Sequence, residues 1–124
     1  MKYLLDTQVI VWFLNGEKLS EKTKDLILNS DNYVSVVSLW EIAIKMNINK
    51  FTFNGGFQAF RELVRKNGFK VLPIKDEYMM KLLDLPLIHR DPFDRLIMAT
   101  TLIEDMTLIT SDDDIQEYDI SWIW

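Results

Sequence analysis

The stretch KYLLDTQVIVWFLNG, residues 2–16, carries the signal that sets the fold. Lys2 to Leu5 is a short apolar run that ends at an acid, Asp6. Thr7 to Leu14 follows, with Val9, Ile10, Val11, Trp12 and Phe13, and Asn15-Gly16 supplies a helix stop. The pair reads as a buried strand feeding a helix, with a carboxylate at the junction. The same alternation recurs downstream. Tyr33 to Val37 is short and β-branched and reads as a strand, with Ser38 starting a helix through about Ile48. Phe69 to Leu72 and Thr107 to Ile109 read as strands, and Ile120 to Trp124 as a terminal one. Helices are expected from Ser20 to about Asn29, from Phe57 to Gly68 and from Asp76 to Asp84. A further one runs from Asp91-Pro92, where proline suits the first helical position, to about Glu104. Strands alternating with helices imply an α/β fold: a mostly parallel central sheet flanked by helices on both faces. Ligands of such sheets bind outside the carboxyl ends of the strands.

The chain has 124 residues, which supports one domain over 1–124, and no linker, repeat or low-complexity tract interrupts it. A hydrophobic fraction of 48% excludes intrinsic disorder. The net charge of −5 argues against coating nucleic acid by bulk charge, but not against a local site. Cysteine is absent, which excludes disulfides, thiol catalysis and cysteine-based zinc sites. The lone His89 cannot form a histidine-pair metal site. No apolar run reaches about 18 residues and no signal-peptide pattern opens the chain, so a cytoplasmic protein without membrane spans is expected.

Four acids stand at positions where this fold gathers ligands. Asp6 follows the first strand, Glu41 lies beyond the second, Asp94 sits in the first turn of the helix opened by Asp91-Pro92, and Asp112 follows Thr107 to Ile109. Each alone has a structural reading. Asp6 suits a helix N-cap, Ser38 to Glu41 fits a capping box, Asp94 complements a helix dipole, and Asp112 caps the next turn. Together they are harder to explain so, because converging carboxylates repel and take up protons. A divalent cation removes that conflict, and an all-oxygen donor set selects Mg²⁺ or Mn²⁺, one or two ions. Such a site suits phosphodiester hydrolysis.

With these residues the sequence resembles the PIN-domain ribonucleases, and within them the VapC toxins of toxin–antitoxin pairs. The resemblance rests on Leu4 to Thr7, Ser38 to Lys45, Leu72 to Ile74, His89 to Arg95 and Leu108 to Asp112, with Tyr118 and Trp122 near the end. It implies a single PIN-like nuclease domain in which Asp6, Glu41, Asp94 and Asp112 hold Mg²⁺ or Mn²⁺, with Thr7 and Thr110 orienting them. The implied activity is endonucleolytic RNA cleavage. The implied partners are an RNA substrate, a cognate antitoxin and a second copy of the chain. Two departures stand out: Asp112-Asp113-Asp114 offers three acids where one is expected, and Gln8 replaces a more familiar His or Asn. Asp112 is preferred for its spacing from Thr110.

Lys45 and Arg95 are candidate RNA contacts, and Lys45 is also an i,i+4 partner for Glu41. Asp91 reads as the N-cap ahead of Pro92, and His89 as a loop hydrogen-bond group. Trp12 and Trp40, among apolar neighbours, are expected in the core, while Trp122 and Trp124 share one strand face. The competing function is a catalytically weak binding module whose acidic pocket holds a basic partner peptide. A haloacid-dehalogenase-like phosphatase requires Asp-x-Asp after the first strand, where this chain has Asp6-Thr7-Gln8.

Setting aside the four acids leaves the rest of the chain at −1, a nearly neutral scaffold around an acidic socket. Metal is therefore expected to stabilise the fold by relieving carboxylate repulsion. Mn²⁺ at a hundredfold over its dissociation constant should add about 2.7 kcal/mol. A melting curve indifferent to Mn²⁺ contradicts this expectation.

Overall fold

In the computed structural model, which describes residues 1–124, five strands form one sheet in which every pairing is parallel. The strands are β1 (Lys2–Leu5), β2 (Asp31–Ser35), β3 (Lys70–Leu72), β4 (Thr107–Ile109) and β5 (Trp122–Ile123), in the order β3-β2-β1-β4-β5. The helices are α1 (Thr7–Asn15), α2 (Glu21–Leu28), α3 (Val36–Asn47), α4 (Gly56–Lys66), α5 (Asp76–Leu82), α6 (Pro92–Glu104) and α7 (Asp113–Gln116). The α/β reading and the parallel sheet are therefore as expected. No helix is long and apolar enough to cross a membrane.

The chain leaves β1 toward β2 and β3 on one side, then returns to lay β4 and β5 on the other. The boundary between β1 and β4 is thus a topological switch point, where neighbouring strand ends diverge and leave a crevice. Backbone pairing carries past the strand there: Asp6 N–H donates to Ile109 O at 3.1 Å.

Both sheet faces are covered. Tyr3, Leu5 and Ile109 pack with Val9, Ile10, Leu39, Ile42, Phe60 and Val64 on one face. Leu4 and Leu108 pack with Val37, Ile97, Met98, Ile115 and Tyr118 on the other. Two-sided burial explains why Tyr3-Leu4-Leu5 and Leu108-Ile109 are apolar without alternation. Gly16 ends α1 in the left-handed region at φ 68°, where its N–H reaches Phe13 O and the Glu17 N–H reaches Trp12 O.

Three expectations are corrected. The second strand ends at Ser35 rather than Val37, because the Ser35 side chain accepts from Val37 N–H at 3.0 Å and caps α3. Ser38 consequently lies inside α3, and the Ser38–Glu41 capping box does not form. The acidic turn after β4 is the short helix α7, capped by Asp112. Trp40 is not core: it is 56% exposed and packs edge-to-face on Phe93 at 5.3 Å. Trp12 is half-buried against Trp124 at 5.9 Å.

Leu4 is fully buried at the centre of the sheet. Leu4→Ala should cost about 2–5 kcal/mol in urea unfolding. Val71→Ala, on the exposed β3, should stay within about 0.5 kcal/mol. Equal costs at the two positions contradict the assigned burial.

Candidate active site

Asp6 is the N-cap of α1, and its two oxygens are held by different elements. Oδ1 accepts from Thr7 N–H at 2.8 Å and Oδ2 from Thr110 Oγ1–H at 2.8 Å. The Thr110 hydroxyl in turn accepts from Asp112 N–H at 3.1 Å, so the ends of β1 and β4 are knitted through one threonine. The Thr7 hydroxyl donates to Ser38 Oγ at 2.8 Å and ties the start of α1 to α3. That places Glu41, one turn further along α3, against the same crevice.

The outcome is a polar cleft of about 180 Å³ lined by Asp6, Thr7, Gln8, Glu41, Lys45, Asp91, Asp94 and Asp112. All four acids expected from the sequence meet there, and Asp113 and Asp114 do not line it. Asp112 and Asp91 each also cap a helix, Asp112 Oδ1 accepting from Asp114 N–H at 2.8 Å and Asp91 Oδ1 from Asp94 N–H at 3.0 Å. Thr110 holds Asp6 through its hydroxyl, whereas Thr7 holds it through the backbone N–H and spends its hydroxyl on Ser38. Lys45 lines the cleft and pairs with Glu41 Oε2 at 3.1 Å. Arg95 does not line it. Its Nη1 donates to Pro86 O at 2.8 Å and to Tyr118 Oη at 3.0 Å, so its guanidinium braces a loop instead of waiting for RNA.

Five carboxylates face one lysine here, and the electrostatics record it. Burial pushes Asp6 up to about 6; the Thr110 and Thr7 hydrogen bonds oppose this, and the Asp112 and Glu41 charges add to it. Asp94 is pushed up to about 7, by burial first and then by the Asp6 charge, against the hydrogen bond from His89. Glu41 Oε1 is buried with no hydrogen-bond partner. An unpartnered buried carboxylate oxygen, two acids held above their ordinary range and an all-oxygen donor set together fit a hard divalent cation. No trio of these side chains is drawn tightly enough to clasp an ion as it stands.

Sequence reasoning missed the network behind Asp94. His89 Nε2 lies 3.1 Å from Asp94 Oδ2 and His89 Nδ1 lies 2.8 Å from Tyr118 Oη. Burial disfavours charge on His89, but its contacts with Tyr118 and Asp94 outweigh that and raise its pKa. Burial lifts the Tyr118 phenol, yet the bonds from the His89 backbone N–H and from Arg95 oppose it, and the group sits below its ordinary range. Tyr118 stands 29 residues from His89, a separation with no periodic signature.

The PIN domain family profile matches residues 3–121. No curated protein matches the chain in sequence. Among solved structures, the chain is similar to VapBC2 from Rickettsia felis bound to a promoter DNA fragment. There the TM-score is 0.77 and identity 17%, covering 99% of this chain and 98% of that one. DNA-bound VapBC from Salmonella typhimurium gives a TM-score of 0.73 at 16% identity, covering 99% and 97%. VapBC-5 from Mycobacterium tuberculosis, a member of the VapBC family of toxin-antitoxin systems, gives 0.66 at 21%, covering 98% and 95%.

The raised acids fix a sign for stability against pH. From about pH 4 to 7 the folded chain binds more protons at Asp6 and Asp94 than the unfolded chain, so both subtract stability as pH rises through that window. In metal-free buffer, Asp94→Asn should therefore be more stable than the parent above pH 7, by about 1–3 kcal/mol. The gain should vanish near pH 4. A gain independent of pH, or a loss at pH 8, contradicts the electrostatic account.

Proposed function

From the premise that this chain belongs to the PIN-domain family, we propose that it is a Mg²⁺- or Mn²⁺-dependent endoribonuclease and the toxin of a toxin–antitoxin pair. The observation that carries the reading is the meeting of Asp6, Glu41, Asp94 and Asp112 in one cleft with no apolar lining. Caps account for Asp6 and Asp112, but nothing in helix or sheet formation calls for Glu41 Oε1 to be buried without a partner.

In this reading the four carboxylates hold one or two divalent ions. A bound ion supplies Lewis acidity, activating water and offsetting charge that builds on the phosphate. The chain's own residues do the rest. Thr110 and Thr7 fix the two oxygens of Asp6, so its carboxylate meets the substrate in one orientation. Lys45, partly exposed at the cleft rim and able to leave Glu41, is placed to take a phosphate oxygen of the RNA. Asp6 and Asp94 bind an ion as carboxylates, so protons compete with it, and metal uptake strengthens as pH rises through the range in which the metal-free groups lose protons.

The antitoxin follows from the same charge. A cleft with five carboxylates also suits a guanidinium or ammonium from a partner's tail. The solved structures of similar fold include toxin–antitoxin complexes, which supports such a partner. A homodimer in the cytoplasm completes the proposal.

The purified chain should cut single-stranded RNA with Mg²⁺ or Mn²⁺ and stop on addition of EDTA. Asp6→Asn with Asp94→Asn should lower the rate at least a hundredfold, the loss of about 2.7 kcal/mol of transition-state stabilisation. Cleavage that persists in the double variant sinks the nuclease reading. Metal uptake without cleavage, together with tight binding of a basic peptide, supports the alternative of a binding module.

A further inference from the structure

We propose that His89 is the positioning residue of Asp94, held by Tyr118 and Arg95 so that its Nε2–H points at Asp94 Oδ2. The inference rests on the reading of Asp94 as a metal-holding carboxylate, and it follows from counting protons at one oxygen.

Four groups converge on the Tyr118 hydroxyl. Arg95 Nη1 approaches at 3.0 Å and the backbone N–H of His89 at 3.0 Å. Both are obligate donors, because a guanidinium and a peptide N–H have no accepting lone pair to offer. They occupy the accepting capacity of the hydroxyl. Its single hydrogen then has two destinations, His89 Nδ1 at 2.8 Å and His89 O at 3.4 Å. The shorter contact wins, so Nδ1 is an acceptor. The ring proton of the neutral imidazole must then sit on Nε2, and Nε2 lies 3.1 Å from Asp94 Oδ2. Only one oxygen of Asp94 is tied in this way, and Oδ1 takes no bond from the protein.

The bracing extends outward. Arg95 Nη1 also donates to Pro86 O at 2.8 Å, which fixes the loop that carries His89. Tyr118 is buried at 4% exposure within the core of one sheet face, so the hydroxyl that sets the tautomer is itself immobile. A second row of groups that orients a ligating side chain is typically worth about 10–100-fold in metal affinity. Arg95, whose sequence position suggested RNA contact, thus serves the same cleft from behind.

His89 is the single histidine of the chain, so ¹⁵N NMR of the labelled full-length protein reports its ring without assignment. In metal-free protein, once a ¹⁵N titration has carried the ring to its neutral form, we expect a protonated Nε2 and a bare Nδ1. Tyr118→Phe should move the population toward Nδ1–H. In Mn²⁺ titrations without RNA, His89→Ala should weaken binding about tenfold. His89→Gln keeps an N–H donor and should recover most of that loss, with melting temperatures matched among the variants. A proton on Nδ1 in the parent chain overturns the inference. So does a Tyr118→Phe variant with an unchanged tautomer, or a His89→Ala variant that binds Mn²⁺ as tightly as the parent. A parent chain that takes up no Mn²⁺ overturns both this inference and the metal-dependent function. If tautomer and affinity behave as expected while RNA stays intact, the nuclease reading fails alone.

Discussion

The cleft depends on one constraint, the burial of the Asp6 charge where β1 and β4 lie side by side. Its backbone N–H extends the ladder to Ile109, Thr7 holds Oδ1, and Thr110 holds Oδ2. These bonds fix direction but carry no countercharge. Burial outweighs them, and the acid sits at about 6. The fold therefore orients this carboxylate without neutralising it, and leaves neutralisation to whatever enters the cleft. Asp94 repeats the arrangement on the facing helix, with His89 giving direction while burial and Asp6 raise its pKa to about 7.

Capping and function are not rivals in this architecture. An N-cap stands where a strand or loop gives way to a helix, and a parallel sheet brings several such junctions to one edge. Asp6, Asp91 and Asp112 each satisfy a helix start, and each also lines the cleft. A local preference for acids at N-caps thus becomes a gathering of acids in space. Glu41 and Asp94 are the exceptions, since both line the cleft and neither caps a helix, and Glu41 also buries an oxygen without a partner.

The sequence was most legible where one local force dominated. Apolar runs bounded by turn residues gave β1 and β4 to the residue, and the Asp91-Pro92 pair gave the start of α6. It was least legible at Val34-Ser-Val-Val-Ser38, where two serines compete to cap. The β-branched Val36 and Val37 favour extension, but the Ser35 hydroxyl reaches Val37 N–H and starts the helix early. That shift decides the neighbouring side chains. It moves Glu41 out of the first turn and leaves Trp40 on the open side of α3. The roles of Arg95, His89 and Tyr118 were hidden for a different reason. Their contacts span 23 and 29 residues and join three loops and helices, so no spacing rule encodes them.

The cleft is a net cost to the fold. Lys45 offsets part of the charge, but its pair with Glu41 is a partly exposed one, of a kind worth about 0–1 kcal/mol. The unpartnered Oε1 of the same residue costs about 1–3 kcal/mol. A sheet with one solvated face would have little margin for this. Here Leu4, Leu108 and their neighbours are buried on one face while Leu5, Ile109 and theirs are buried on the other, so the strands that present the acids are anchored from both sides. Two-sided burial is what lets a chain of this size hold like charges together at the end of its central strands. The same reasoning explains why Asp6 sits past the end of β1 rather than within it, since one residue earlier it would displace the buried Leu5.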